Sequence, residues 1–386
     1  MTPHFEFSTA ARIIFGWGEA RQLAAAAAHM GTRALVVTGS SSERAQPLIA
    51  NLEAKGVACV LYCAPSEPTI ELIRTGVAQA RDERCDLVIA IGGGSAIDTG
   101  KALAALLTNP GDPLDYLEVI GRGQTLQHPS APFIAVPTTA GSGAEVTRNA
   151  VLASTEHRVK ASLRSPFLLP KLALVDPELT FNLPRAITAF TGLDALTQLI
   201  EPYVCSRANA VTDLYCVDGL RRAAAALPRV CEDGQDREAR ISMAFASLLG
   251  GLSLANAGLG AVHAFAAAVG GMFPAPHGAI CAAVLPHAIE MNVEALRRRA
   301  PASPALHRYD EIARLLTRQP HAIADDAVLW IGDLCQRLEI PPLRAYGVTA
   351  AHIPGLAAKA AQTSSMKSNP IALTFEELQE IALRAL

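Results

Sequence analysis

The sequence predicts an α/β chain: a parallel sheet covered by helices in the N-terminal half, then an all-helical C-terminal half. Short, continuously apolar runs recur through the first half with helix-like segments between them. Strands of that kind, buried on both faces and separated by helices, make a parallel sheet. After Pro184 β-rich runs almost disappear, and Ala, Leu and Arg dominate at helical spacing. A length of 386 residues suits two domains, at roughly 100–200 residues each. The division is expected at residues 1–182 and 183–386.

In chain order, the strands are RALVVT (33–38), ACVLYC (58–63), CDLVIAI (85–91), PFIAVP (132–137) and LALV (172–175). The helices between the earlier strands are expected at 43–55, 69–82 and 95–107. In the second half, breaks are expected at Pro228, Pro274, Pro276, Pro286, Pro301 and Pro341. No internal repeat and no long flexible linker is evident, so a tight cleft between the halves is expected, where small ligands usually sit. Residues 243–273 carry no Asp, Glu, Lys or Arg. Length alone would permit a membrane span, but the Gly, Ala, Ser and Asn content and an internal His fit a buried helix of a soluble domain better.

The formal net charge is −3, with 50% hydrophobic and 18% charged residues. That gives no electrostatic reason to expect nucleic acid or a membrane surface as partner. Eight cysteines are scattered without a C-x-x-C pair, which reads as reduced thiols of a cytoplasmic protein. Cys59, Cys63 and Cys85 lie in apolar, strand-like runs and are expected to be mostly buried. The N-terminal stretch MTPHFEFSTAARIIFG has no basic region followed by an apolar core, so no signal peptide is expected.

Three strand ends look built for a dinucleotide. In AIGGGSAIDTGKA (90–102), Gly92, Gly93 and Gly94 permit a sharp turn and close backbone approach to an anion. Ser95 is expected to cap the following helix, whose positive end favours a pyrophosphate. A plain strand–helix turn would use glycine in the same way. In VPTTAGSGAEVT (136–147), Thr138, Thr139 and Ser142 offer hydroxyls to phosphate or ribose. Two such loops at neighbouring strand ends are better explained by a dinucleotide than by two solvated loops. In ALVVTGSSSERA (34–45), Gly39, Ser40, Ser41 and Ser42 stand where a carboxylate would hold the ribose 2′-hydroxyl of NAD. No carboxylate there repels a 2′-phosphate, which admits NADP and leans toward it. Serine-rich turns also arise from local hydrogen bonding alone.

The helical half carries a different chemistry. Asp194 and Gln198 in TGLDALTQLIEPYV stand four residues apart, on one helix face. In GAVHAFAAAVGGMFPAPHGAI, the Gly and Pro residues from 270 to 276 would end one helix and leave His277 at the start of the next. His263 and His277 would then converge opposite Asp194. Taken singly, each has the alternative of a buried, hydrogen-bonded imidazole.

The segments GGGSAIDTGKA, PTTAGSGAEVT, KASLRSPFLLPKLALVDPELT, TGLDALTQLIEPYV and VHAFAAAVGGMFPAPHGAI together resemble the iron-containing, or group III, alcohol dehydrogenase family over nearly the whole chain. The resemblance implies a Rossmann-like N-terminal domain, a helical C-terminal domain, and a fold shared with dehydroquinate synthase and glycerol dehydrogenase. It implies Asp194, His263 and His277 as metal ligands and as the catalytic centre, with Gln198 at the fourth ligand position, where the usual residue is His. The implied cofactor contacts are Gly39, Ser40, Gly93, Gly94, Ser95, Asp98, Thr138, Thr139, Ser142, Thr147 and Lys160. Gly39 stands where NAD-preferring members often have Asp. Asn149, Ala267 and Ser365 fall near the substrate pocket, Ala267 at a position where several members carry a second histidine. The family also implies a homodimer or larger homo-oligomer.

Two histidines and one carboxylate with open positions suit Fe²⁺ or Zn²⁺ even without the usual fourth imidazole, and Gln198 could ligate through its carbonyl or a water. The expected reaction is reversible hydride transfer between NADP or NAD and a small alcohol or aldehyde, with a divalent metal polarising the oxygen. Three alternatives stand beside it. A metal-free reductase resembling maleylacetate reductase would use Arg148 and Lys367 for an anionic substrate, although both also read as solvated surface charges. A cyclase like dehydroquinate synthase would need more basic residues than 243–290 carries. A cofactor-binding sensor would lack turnover altogether.

Overall fold

The computed structural model describes residues 5–65 and 67–386. The chain divides into two compact units. One comprises Ser8–Thr139 and Gly143–Phe181. The other comprises residues 5–7, Ala140–Ser142 and Asn182–Leu386.

The first unit holds β1 (Ile13–Phe15), α1 (Leu23–Ala28), β2 (Arg33–Thr38), α2 (Gln46–Ala54), β3 (Ala58–Cys63), α3 (Ile70–Asp82), β4 (Leu87–Gly92), α4 (Gly94–Thr108), α5 (Pro113–Tyr116) and β5 (Phe133–Pro137). It continues with β6 (Asn149–Ser154), β7 (Val159–Arg164) and β8 (Leu172–Val175). Six strands form one wholly parallel sheet in the order β1-β8-β5-β4-β2-β3. Period-two alternation sends successive residues to opposite faces. Leu35, Val37, Val88 and Ala90 therefore join α3 and α4 in one core, while Ala34, Val36, Leu87 and Ile89 join α1 and α2 in another.

From β2 the chain moves outward to β3, then returns to the other side of β2 as β4. That reversal opens a crevice at the carboxyl ends of β2 and β4, the position at which open parallel sheets bind ligands. The short β1 and the antiparallel hairpin β6–β7 were not expected from the sequence. The hairpin is rich in Ala and Ser rather than β-branched residues, which mutes its strand signal.

The second unit is helical: α6 (Arg185–Val204), α7 (Ala210–Glu232), α8 (Arg237–Asn256), α9 (Ala261–Met272), α10 (His277–Arg299), α11 (Pro304–Thr317), α12 (Ala324–Arg337), α13 (Ile353–Gln362) and α14 (Phe375–Arg384). Helix α6 packs against α7, α8 and α10, and α9 packs against α10 and α13. Two of the expected proline breaks do not occur. Pro228 lies inside α7 and Pro286 inside α10. Packing around these helices outweighs the local cost of a proline, about 3 kcal/mol. Residues 243–273 form α8 and α9, which bend by 93° at the intervening break. By length and composition alone α10 could also cross a membrane, but 72% of its apolar window is buried in the protein. All eight cysteines are free. Cys63 is exposed rather than buried, because it ends the edge strand β3.

Candidate functional site

The metal-type cluster lies within the helical unit. Helix α6 carries Asp194 and Gln198, α9 carries His263, and His277 is the first residue of α10. Gly278 lets α10 begin directly on α6, since a Cβ there would stand 2.4 Å from the Phe190 carbonyl oxygen. This contact brings His277 to the turn of α6 that bears Asp194. Asp194 Oδ1 is 3.4 Å from His263 Nε2 and 3.7 Å from His277 Nε2. The two imidazoles have ring centroids 5.6 Å apart. Cys281, one turn beyond His277, places Sγ 3.6 Å from His277 Nε2. One ligand atom from each of Asp194, His263, His277 and Cys281 lies within 4.8 Å of every other.

His263 is held from behind. Its Nδ1 is 2.7 Å from Glu201 Oε2, and Glu201 Oε1 accepts the Val262 N–H at 2.7 Å. Asn369 Oδ1 accepts the Ala261 N–H at 3.1 Å. Both acceptors reach the start of α9 only because residue 260 is glycine. A Cβ there would meet Asn369 Oδ1 at 2.8 Å and Glu201 Oε1 at 2.9 Å. A carboxylate on Nδ1 keeps that nitrogen protonated and holds Nε2 toward Asp194, where a metal would displace the second ring proton.

The charges are strongly coupled. Burial alone would raise the Asp194 carboxyl, but His277 and His263, with a hydrogen bond from Gln198, hold it below the usual carboxylate range. Burial alone would lower His263, but Asp194 and Glu201 carry it up to about 10. Asp194 Oδ1, His263 Nε2 and Gln198 Oε1 are all enclosed without a hydrogen-bond partner among the described residues. Buried polar atoms are rarely left so unless something else binds them. Converging carboxylate and imidazole donors fit a divalent cation.

Gln198 shares the α6 face with Asp194. Its Oε1 lies near Gly250 of α8, 3.5 Å from where a Cβ would stand. Ala267 follows His263 by one turn of α9 and is half-buried. Ser365 precedes the short 3₁₀ turn Met366–Ser368, and its carbonyl accepts the Ser368 N–H at 3.2 Å. Cys281 and Glu201 were not singled out in the sequence. Each carried a signal: Cys281 stands at His277 plus four, and Glu201 at Asp194 plus seven, both on shared helix faces.

In the α/β unit, Gly39, Gly93 and Thr138 follow the adjacent strands β2, β4 and β5. Helix α4 begins one residue earlier than expected. Gly93 is its N-cap without a side-chain cap, Gly94 is its first residue, and Ser95 lies within its first turn instead of capping it. The opening N–H groups of α4 thus have no capping side chain, which suits an anion. A Cβ at Gly93 would contact Thr139 at 3.5 Å, whereas one at Gly39 would enter open space. Ser40 follows in the same loop and is exposed. Ser142 belongs with the helical unit.

The remaining residues of this group make contacts within the α/β unit. Lys101, wholly buried, donates to Thr147 Oγ1 at 2.7 Å and to the Asn149 carbonyl at 2.9 Å. It also faces Asp98 at 3.6 Å, and Asp98 accepts the Val151 N–H at 3.0 Å. Lys160 pairs with Glu67 at 3.2 Å.

Residues 10–177 match the family model described as iron-containing alcohol dehydrogenase, and residues 188–386 match its C-terminal domain model. The chain is 38% identical to a 1,3-propanediol dehydrogenase of Klebsiella pneumoniae, covering 77% of this chain and 75% of that one. It is 31% identical to the NAD-dependent methanol dehydrogenase of Bacillus methanolicus, covering 97% of each. A solved structure of 1,3-propanediol oxidoreductase superposes with a TM-score of 0.92 at 32% identity, covering 100% of both chains.

Proposed function

The chain belongs to the iron-containing alcohol dehydrogenase family and is an oxidoreductase acting on alcohols, and from that premise we propose how its residues divide the work. Asp194, His263 and His277 hold a divalent metal, Fe²⁺ or Zn²⁺. The observation that carries this reading is the convergence of three Lewis-basic side chains, two with buried atoms that make no hydrogen bond of ordinary geometry among the described residues. When bound, such an ion supplies Lewis acidity toward the alcohol or aldehyde oxygen, and the nicotinamide accepts or returns the hydride.

The protein's own part is to orient and to exclude water. Glu201 fixes the His263 ring through Nδ1, so that Nε2 stays aimed at the cluster. Asp194 and His263 are buried, while His277 is 36% exposed and marks the open side. Ala267 leaves room one turn beyond His263. Together with Asn149 and Ser365, it is assigned to substrate, a small alcohol or aldehyde.

The cofactor phosphates are assigned to the start of α4 at Gly93, Gly94 and Ser95, and to Thr138, Thr139 and Ser142. Asp98 and Thr147 brace this region through Lys101, and Lys160 flanks it. NADP is preferred over NAD. The support is Gly39, where a side chain would meet open space, next to Ser40. The enzyme works in the cytoplasm, in line with its eight free thiols, as a homodimer or larger homo-oligomer. Nothing in the relatives' names favours metal-free reduction of an activated double bond.

The test is a panel of small aldehydes and alcohols with NADH and NADPH, with and without added Fe²⁺ or Zn²⁺, on wild type and Gly39→Asp. Metal-dependent aldehyde reduction is expected, with NADPH preferred. The new carboxylate should move the preference toward NADH by about tenfold, the effect of roughly 1.4 kcal/mol. Full activity in metal-stripped protein would overturn the metal assignment. An unchanged cofactor ratio in the variant would overturn the role of residue 39.

A further inference from the structure

Gln198 replaces the imidazole expected at the fourth ligand position, yet another donor has moved into range. Cys281 lies one turn beyond His277 on α10, is buried, and turns its sulfur toward the same point as Asp194 and the two histidines. A lone buried thiol would mean little. Here Asp194 Oδ1 and His263 Nε2, on residues no more than 7% exposed, are enclosed without a hydrogen-bond partner in the same cluster.

Three of the six donor separations match a tetrahedral coordination sphere, and the other three are no more than 4.8 Å. Metal–ligand bonds of 2.0–2.3 Å at tetrahedral angles place N and O donors about 3.4 Å apart and an N,S pair about 3.6 Å apart. The corresponding distances are 3.4 and 3.7 Å for Asp194 to the two imidazoles, and 3.6 Å for His277 to Cys281. Gln198 has one side of its amide engaged, toward the Asp194 carboxylate, while its Oε1 makes no hydrogen bond among the described residues and lies near Gly250.

Resting on the metal reading above, we propose that Cys281 is the fourth protein ligand of the metal centre, and that Gln198 positions Asp194 rather than binding the ion. The set of one carboxylate, two imidazoles and one thiolate favours Zn²⁺ over Fe²⁺ more strongly than an all-N,O set, because sulfur is the softer donor. The thiol proton leaves to solvent as the ion binds.

The test uses the full chain stripped with chelator and reloaded with Co²⁺ or Zn²⁺, as wild type, Cys281→Ser and Gln198→Ala. Wild type with Co²⁺ should show a near-ultraviolet sulfur-to-cobalt charge-transfer band. Cys281→Ser should lose the band, bind Zn²⁺ at least about tenfold more weakly, and show a smaller zinc-over-iron preference. Gln198→Ala should keep the band. X-ray absorption of the Zn²⁺-loaded wild type should find one sulfur at about 2.3 Å, a result that stands even if the serine variant does not fold. One bound metal per chain without sulfur in its shell, or a band undiminished in Cys281→Ser, would overturn the thiolate ligand and leave the metal centre in place. A wild type that binds neither metal would overturn both.

Discussion

Both units bury charged side chains, but in opposite ways. In the α/β unit, Lys101 is enclosed with Asp98, Glu145 and Thr147, and its ammonium already serves the lone pairs around it. In the helical unit, Asp194, His263 and His277 are brought as close together, but the positive charge there is one that an imidazole takes up between two carboxylates, Asp194 and Glu201. The first arrangement carries its own lysine and holds β6 to α4, although Asp98 Oδ1, 3.6 Å from Lys101 Nζ, makes no hydrogen bond among the described residues. The second gathers carboxylate and imidazole donors, a set that fits a divalent cation in place of the imidazole proton. Depth of burial does not distinguish a structural cluster from a functional one. The kind of side chain that converges does: an ammonium ion-pairs with its neighbours, whereas imidazole and carboxylate together are metal donors.

The contrast breaks most sharply at Asp194. Asp194→Ala should lower kcat/KM by about 10³-fold or more, since several kcal/mol of charge stabilisation leave with the metal. Metal content should fall with it, as steady-state kinetics and elemental analysis would read. Lys101→Met should do the reverse. It should cost about 3–5 kcal/mol of stability in urea unfolding, because Asp98 loses its partner inside the protein, while metal stoichiometry per folded chain stays at the wild-type value.

Glu145 gives a smaller effect with a definite sign. Burial raises its carboxyl from 4.5 to about 7, even though its own backbone N–H and Lys101 pull it down. Between those values the folded chain holds a proton that the unfolded chain has released. Stability therefore falls as pH rises through that window, by about 3 kcal/mol. Glu145→Gln should flatten this slope in denaturation midpoints measured from pH 4.5 to 7. The smallest effect is expected at Glu201, which only orients His263. Glu201→Gln should weaken metal binding by about 10–100-fold, measured by chelator competition, with a cofactor dissociation constant unchanged.

These clusters were unequally legible in the sequence. The strands at 33–38, 58–63 and 172–175 match β2, β3 and β8 residue for residue, because continuous apolar runs between breakers have few other uses. Hairpin β6–β7 hid behind Ala, Ser and charged residues. Ser95 was read as a cap because serine caps helices well, yet glycine takes the position and leaves the backbone open. Asp194, His263 and His277 were visible through motif and spacing. Cys281 was not, because a cysteine in an apolar helix looks like packing until His277, one turn before it, is seen beside Asp194 and His263. Glu201 was missed because its role depends on a helix start 61 residues away, a relation that spacing within one helix cannot carry.

The sharp corner between α8 and α9 has a consequence beyond chemistry. Were the run from α8 through α9 to straighten, the start of α9 would leave the Glu201 and Asn369 side chains that seat it, and a long rod uncharged from residue 243 onward would emerge. The same glycine that lets those two side chains approach therefore ties the aim of an imidazole to the concealment of an uncharged, apolar stretch of the polypeptide. A variant with that corner opened would be inactive and prone to aggregate at once, so selection for turnover also polices solubility.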